Sequence, residues 1–191
     1  MDEVIEQRSL PLQDEESLVR RAQHQDSQAF AQLYEAYFDK IYRYISMRVR
    51  NEMEAEDLTQ QVFIKMLRSI PSYKSKGVPF SSWLYRIAHN QVIDFHRQQN
   101  KKSTVDIDGL PLPDKGDDPR SIMEKQMDIE ELKKATQKLT AAQQEVLSLR
   151  FAGELSVAEC AGIMGKTEGA IKALQHSAVV ALRKALTVDE K

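Results

Sequence analysis

The chain has 191 residues, enough for one large domain or two small ones, with 41% hydrophobic residues, 29% charged residues and a formal net charge of −2. No apolar run approaches the length needed to cross a bilayer, and the first fifteen residues are polar and acidic where a signal peptide would need an apolar core. A cytoplasmic protein without membrane insertion is expected, and the single cysteine, Cys160, excludes an internal disulfide or a cysteine-rich zinc site.

Taken from the amino terminus, the segment 1–16 holds six acids against Arg8, and 1–13 is expected to be disordered. A helix beginning near Asp26 is predicted by the stripe Phe30, Leu33, Tyr34, Tyr37, Phe38, Ile41 and Ile45. A second runs from about Glu54 to Ser69 with Ala55, Leu58, Val62 and Met66 on one face, and Pro71 ends it. After the loop SYKSKGVP (72–79), Ser81 or Ser82 opens a helix carrying Trp83, Leu84, Ile87 and Ala88. These helices make a first domain over 14–98. Residues 99–121 hold three prolines, two glycines and many acids without periodicity, which marks a flexible linker.

A second domain spans 122–187. Its helices are predicted at 122–138, then at 141–152 behind a Thr140–Gln143 capping box and stopped by Gly153. A helix-turn-helix closes the chain. Ser156 and Glu159 form a capping box, Cys160 and Met164 lie one turn apart on the inner face, and Ala161 is small where a second helix must cross. Gly165 supplies the turn, and Thr167 caps a helix whose buried face is Ala170, Ile171, Leu174 and Ala178. The fold class is therefore all-α, two small helical domains joined by a linker. Such a helix pair commonly places its second helix in the major groove of DNA.

Enzymatic chemistry is not indicated. No nucleophile–base pair, phosphate-cradling glycine loop or metal-ligand spacing is present, so neither catalytic residues nor a cofactor is expected. His89 and His96 share a helix face seven residues apart, but no third ligand follows in suitable spacing. The neighbouring acids Glu56 and Asp57 suit a solvated face or a partner contact better than acid–base work. Cys160, on an inner face, reads as a packed thiol. By contrast Tyr73, Phe80, Trp83, Tyr85 and Phe95 are interleaved with Lys74, Lys76, Arg86 and Arg97, a mixture that suits unpaired bases and their phosphates. Phe80 and Leu84 are expected in the core, whereas Trp83 divides evenly between core and surface. The basic residues of 84–102 and 166–187 sit on a chain that is acidic overall, so DNA binding by the protein alone should be weak.

Three blocks carry a resemblance: AEDLTQQVFIKML (55–67), FSSWLYRIAHNQVIDFHR (80–97) and the stretch 139–186. In this order and spacing they resemble bacterial RNA polymerase sigma factors, more narrowly the small two-domain extracytoplasmic-function group. The resemblance implies that Glu56, Asp57, Gln60 and Gln61 meet the clamp helices of the largest core polymerase subunit. It implies that the 72–79 loop captures a flipped base of the −10 element, with Tyr73, Lys74, Lys76, Trp83, Arg86, Asn90 and Arg97 along the melted strand. It places Thr167, Lys172, Gln175 and His176 at the duplex −35 element, with Arg183 and Lys184 near phosphate or polymerase. The implied partners are core RNA polymerase (clamp helices and flap), promoter DNA both duplex and single-stranded, and an anti-sigma factor.

The linker fits that assignment. About 23 residues of free coil span roughly 25–30 Å, whereas two promoter elements two helical turns apart lie roughly 70 Å from one another. A scaffold such as core polymerase would be needed to hold both domains in place. Two rivals remain at this stage. A stand-alone regulator would bind duplex DNA tightly by itself, and a helical adaptor would use its last helix only for packing.

Overall fold

Helices, among them four opened by a side-chain cap at Asp26, Asn51, Thr140 or Ser156, make up the regular structure of the described residues. The computed structural model describes residues 12–49, 51–75, 77–103, 132 and 134–188, and among these there is no strand, in line with the all-helical expectation. The chain divides into two compact units, Met1–Gln91 and Val92–Lys191.

In the first unit, α1 (Leu12–Gln23) has no counterpart among the helices expected from sequence. Among its described side chains Leu18, Val19 and Ala22 are buried, set among acids and arginines. So narrow a stripe escapes a search for periodicity. The turn that follows puts Gln25 at φ +63°, and Asp26 then caps α2 (Ser27–Ser46) by accepting from the backbone N–H groups of Gln28 and Ala29 at 2.9 and 3.1 Å. Arg21 Nε also donates to Asp26 at 2.8 Å, and these contacts together hold the Asp26 carboxyl below its ordinary pKa, the Ala29 N–H contributing most.

The expected α2 stripe is split between two faces. Leu33, Tyr37, Ile41 and Ile45 are buried, joined by Ala29 and Tyr44, while Phe30, Tyr34 and Phe38 are only half-buried. The second set flanks another neighbour: the Tyr34 and Phe38 rings lie 4.7 and 6.0 Å from that of Phe63. Phe63 belongs to α3 (Glu52–Ser69), which starts two residues earlier than expected because Asn51 caps it. Ala55, Leu58, Val62 and Met66 are buried as read from the spacing. Pro71 ends the helix in a single 3-10 turn, Ile70–Ser72.

The last long helix of this region, α4 (Phe80–Ser103), begins directly after Pro79, one or two residues before the expected Ser81 or Ser82. It ends five residues into the stretch read as linker, whose remainder lies outside the described residues.

In the second unit most of the helix expected at 122–138 is outside the described residues, although 134–137 are helical. Both halves of the Thr140–Gln143 capping box are present at the start of α5 (Ala141–Leu147). The helix then widens into a π turn, Ser148–Ala152, before Gly153. Gly153 itself stays at φ −85°, and the left-handed residue is Glu154 at φ +55°. Leu155 N–H closes the turn on Leu149 O at 3.1 Å.

The helix-turn-helix forms as expected from α6 (Val157–Met164) and α7 (Glu168–Val188). Ser156 and Glu159 make both capping-box bonds, at 3.2 and 2.8 Å. Gly165 takes φ +63°, and Thr167 Oγ1 accepts from Ala170 N–H at 3.2 Å. One part of the predicted inner face is corrected. Ile171 and Ala178 are buried and Leu174 is half-buried, but Ala170 is exposed. It lies in the first turn of α7 at the edge of the strip, about 40° around the helix from the half-buried Leu174 and about 100° from Ile171.

Candidate nucleic-acid interface

The loop between α3 and α4 is built from a tight turn and an aromatic cluster. Val78 N–H bonds Ser75 O at 2.7 Å, and Gly77 supplies the left-handed residue at φ +75°. The Tyr73 hydroxyl donates back to Val78 O at 3.2 Å. The Tyr73 ring packs 4.8 Å from Trp83 and edge-on, 5.6 Å, to Phe80, which itself meets Trp83 at 5.4 Å and Tyr37 at 5.7 Å. Phe80 and Leu84 are core residues as expected, and Trp83 lies half-buried with one side toward solvent. Tyr85 does not belong with the surface aromatics. It is fully buried, edge-on to Tyr44 at 5.5 Å.

Sequence reasoning missed the contribution of α1 to this loop. Gln23 Nε2 donates to the Tyr73 carbonyl at 2.7 Å, and a cavity of about 460 Å³ opens between the two segments. Glu15, Arg20 and Gln23 line one side, and Tyr73, Gly77 and Phe80 the other. Burial raises the Tyr73 hydroxyl above its ordinary pKa, with Glu15 and Glu16 adding in the same direction. The cavity thus offers apolar ring surface beside carboxylate and amide groups. Only the run Leu18, Val19, Ala22 could have flagged α1 in advance.

Lys74 is exposed, while Lys76 lies outside the described residues. Along α4, Arg86, Asn90 and Arg97 are exposed and, at intervals of four and seven, fall on one face. Arg97 makes only a loose exposed pair with Asp94 at 3.6 Å. His89 is half-buried, and burial lowers its pKa, with Arg48 and Arg86 adding to the effect. Among the described residues no three His, Cys, Asp or Glu side chains gather as metal ligands.

On α3, Glu56, Asp57, Gln60 and Gln61 are all exposed. Gln61 is less free than its exposure suggests, because the buried Gln91 amide donates to it at 3.0 Å and accepts from Lys65. Interleaved with these polar residues are Met53, Ile64 and Leu67, which are 72%, 47% and 54% exposed. Positions 53, 57, 60, 64 and 67 advance by four and three in alternation, the repeat of a helix that packs along another helix.

In the second unit, Lys172 and His176 project from α7 into solvent, and Thr167 is exposed at its cap. Gln175 does not stand with them on the open face. It is half-buried and accepts a hydrogen bond from Arg150 Nε at 3.1 Å. Arg183 and Lys184 are exposed farther along the helix.

Residues 33–102 match the family model for Sigma-70 region 2, and residues 135–184 match that for Sigma-70 region 4. The chain is similar to the ECF RNA polymerase sigma factor BldN of Streptomyces coelicolor, 39% identical over 91% of this chain. It spans 66% of that relative's length. It is also similar to the RNA polymerase sigma factor YlaC of Bacillus subtilis, 31% identical over 86% of this chain and 94% of that protein. Its fold resembles that of the sigma factor RpoE, solved in complex with the anti-sigma factor NepR from Bartonella quintana. There the TM-score is 0.67 at 24% identity, over 84% of this chain and 98% of that one.

Proposed function

Because this chain belongs to the extracytoplasmic-function group of RNA polymerase sigma factors, we propose that it directs promoter-specific initiation through three separate surfaces. It is a transcription initiation factor and not an enzyme; RNA synthesis belongs to the polymerase it joins. Residues 14–98 act as the domain for core polymerase and the −10 element, and 122–187 as the −35 domain. Of the segments 1–13 and 99–121, residues 12–13 begin α1 and 99–103 end α4, and the rest lie outside the described residues. The protein works in the cytoplasm, where polymerase and promoters meet. No described helix is long and apolar enough to cross a membrane.

The observation that carries the core-binding assignment is the uncovered stripe of α3. Three large apolar side chains in one heptad-spaced row, with Glu56, Asp57, Gln60 and Gln61 alongside, suit a partner helix on the polymerase clamp. The same row is the surface that an anti-sigma factor would have to cover, and we include such control in the reading.

The cavity beside Tyr73 supports capture of one unpaired −10 base. Extruding a base costs a few kcal/mol, and stacking at about 1–3 kcal/mol per base on Tyr73 and Trp83 can offset it. Lys74, Lys76, Arg86, Asn90 and Arg97 then follow the strand. Thr167, Lys172, Gln175 and His176 meet the −35 duplex.

The test is transcription by core polymerase on a panel of promoters, with and without this chain, alongside a gel shift with the chain alone. Promoter-specific initiation that requires the chain, with little DNA bound in its absence from polymerase, is the expected result. Tight duplex binding alone and no association with core polymerase would overturn the reading in favour of a stand-alone regulator.

A further inference from the structure

Arg150 lies in the π turn after α5 and is half-buried. Its Nε donates to Gln175 Oε1 at 3.1 Å, and its Nη1 donates to the backbone carbonyl of Leu155. That carbonyl is itself fixed, because Leu155 N–H reaches back to Leu149 O across the left-handed Glu154. The π turn therefore aims the guanidinium, and the guanidinium holds the amide of Gln175. Which end of the amide it holds follows from chemistry: arginine has donors and no acceptor, so its partner is the carbonyl oxygen. The amino end of the same group is then the part directed away from α5.

Gln175 is half-buried on α7, at the edge of the face that carries the exposed Lys172 and His176. An unrestrained glutamine reads adenine with both ends, accepting from N6 and donating to N7. A glutamine whose oxygen is turned back to an arginine loses that paired contact and presents its amino group first. Guanine offers two acceptors, O6 and N7, and thymine offers O4, whereas adenine keeps only N7 beside an amino group that opposes a donor, and the cytosine amino group opposes it too.

We infer that Arg150 is a positioning residue that turns the amino end of Gln175 toward the −35 element, favouring guanine or thymine over adenine at one base. This rests on the use of α7 for the −35 duplex proposed above.

The experiment is initiation by core polymerase with the full-length chain on every single-base substitution of the −35 element of a promoter it uses. For the wild-type chain one position should favour guanine or thymine over adenine by about tenfold, the scale of a single good base contact. Arg150→Ala frees the amide, so adenine should rise to match guanine at that position while the ranking elsewhere is unchanged. Gln175→Glu keeps a partner for Arg150 but presents only acceptors, so the preference should move toward cytosine, whose N4 donates.

If Arg150→Ala fails to fold, judged by circular dichroism, Gln175→Glu decides alone. A variant that lowers initiation equally on all promoters, leaving every ranking intact, would overturn the inference. So would a panel that responds to Lys172→Ala and His176→Ala but not to Gln175→Glu. If no −35 substitution changes wild-type initiation, the assignment of α7 itself fails, and the inference with it.

Discussion

Cys160 shows how far a single side chain can be read in advance. Its place on the inner face of α6 predicted a packed thiol, and it is fully buried, with burial pushing its pKa up to about 11. The raised value means that the neutral thiol is favoured by folding. The stability it contributes is complete below about pH 9, the ordinary value, and is lost as pH rises toward 11. At pH 8 the native thiol should react with iodoacetamide about a hundredfold more slowly than in the urea-unfolded chain, from the thiolate fraction alone. Comparable rates in both states would disprove it. Gly165 gives a second residue-level expectation. A Cβ there meets nothing within 4 Å, so Gly165→Ala carries only the strain of φ +63°. It should destabilise the second unit by about 1 kcal/mol in a urea titration, without altering the helical content. Gln175 marks the limit of reading from sequence at this scale. Spacing placed it near Lys172 and His176, but nothing local announces Arg150, 25 positions earlier, as its partner.

Helices were legible where an apolar stripe or a side-chain cap lies within a few residues. The capping boxes at Thr140 and Ser156 and the buried rows of α3 are of this kind. What escaped was set by tertiary packing: α1, whose described buried side chains are Leu18, Val19 and Ala22, and the second face of α2 that meets Phe63. The cavity escaped for the same reason, since half of its wall is α1. The exposed row of α3 was visible only as Glu56, Asp57, Gln60 and Gln61, because a periodic sequence does not reveal which apolar residues remain uncovered. That row gives the prediction at this scale. Ile64→Asp with Leu67→Asp should leave the melting temperature within a few degrees of wild type, since both positions are already in solvent. Association with core polymerase should fall at least tenfold in a pull-down or fluorescence titration. Unchanged association would remove α3 from the interface.

For the molecule as a whole, the placement of charge decides more than its sum. Cations are exposed on α4 and α7, but the net charge is −2, so few phosphates can be neutralised by this chain alone. Its own binding to a duplex promoter should therefore be weak at physiological salt and weaker still as salt rises. Adding core polymerase should yield a complex that survives the same salt, as gel shifts across a salt series would show. Retention on DNA at high salt by the chain alone would contradict this. The uncovered row on α3 has one further consequence. A polymerase helix and an inhibitor that both need Ile64 and Leu67 cannot occupy the row together. If the inhibitor binds more tightly, each of its molecules removes one copy of this chain, and what remains active is a difference between two concentrations. Output then stays near zero until the inhibitor is exhausted and climbs abruptly afterwards, so a threshold follows from the geometry of a single helix face.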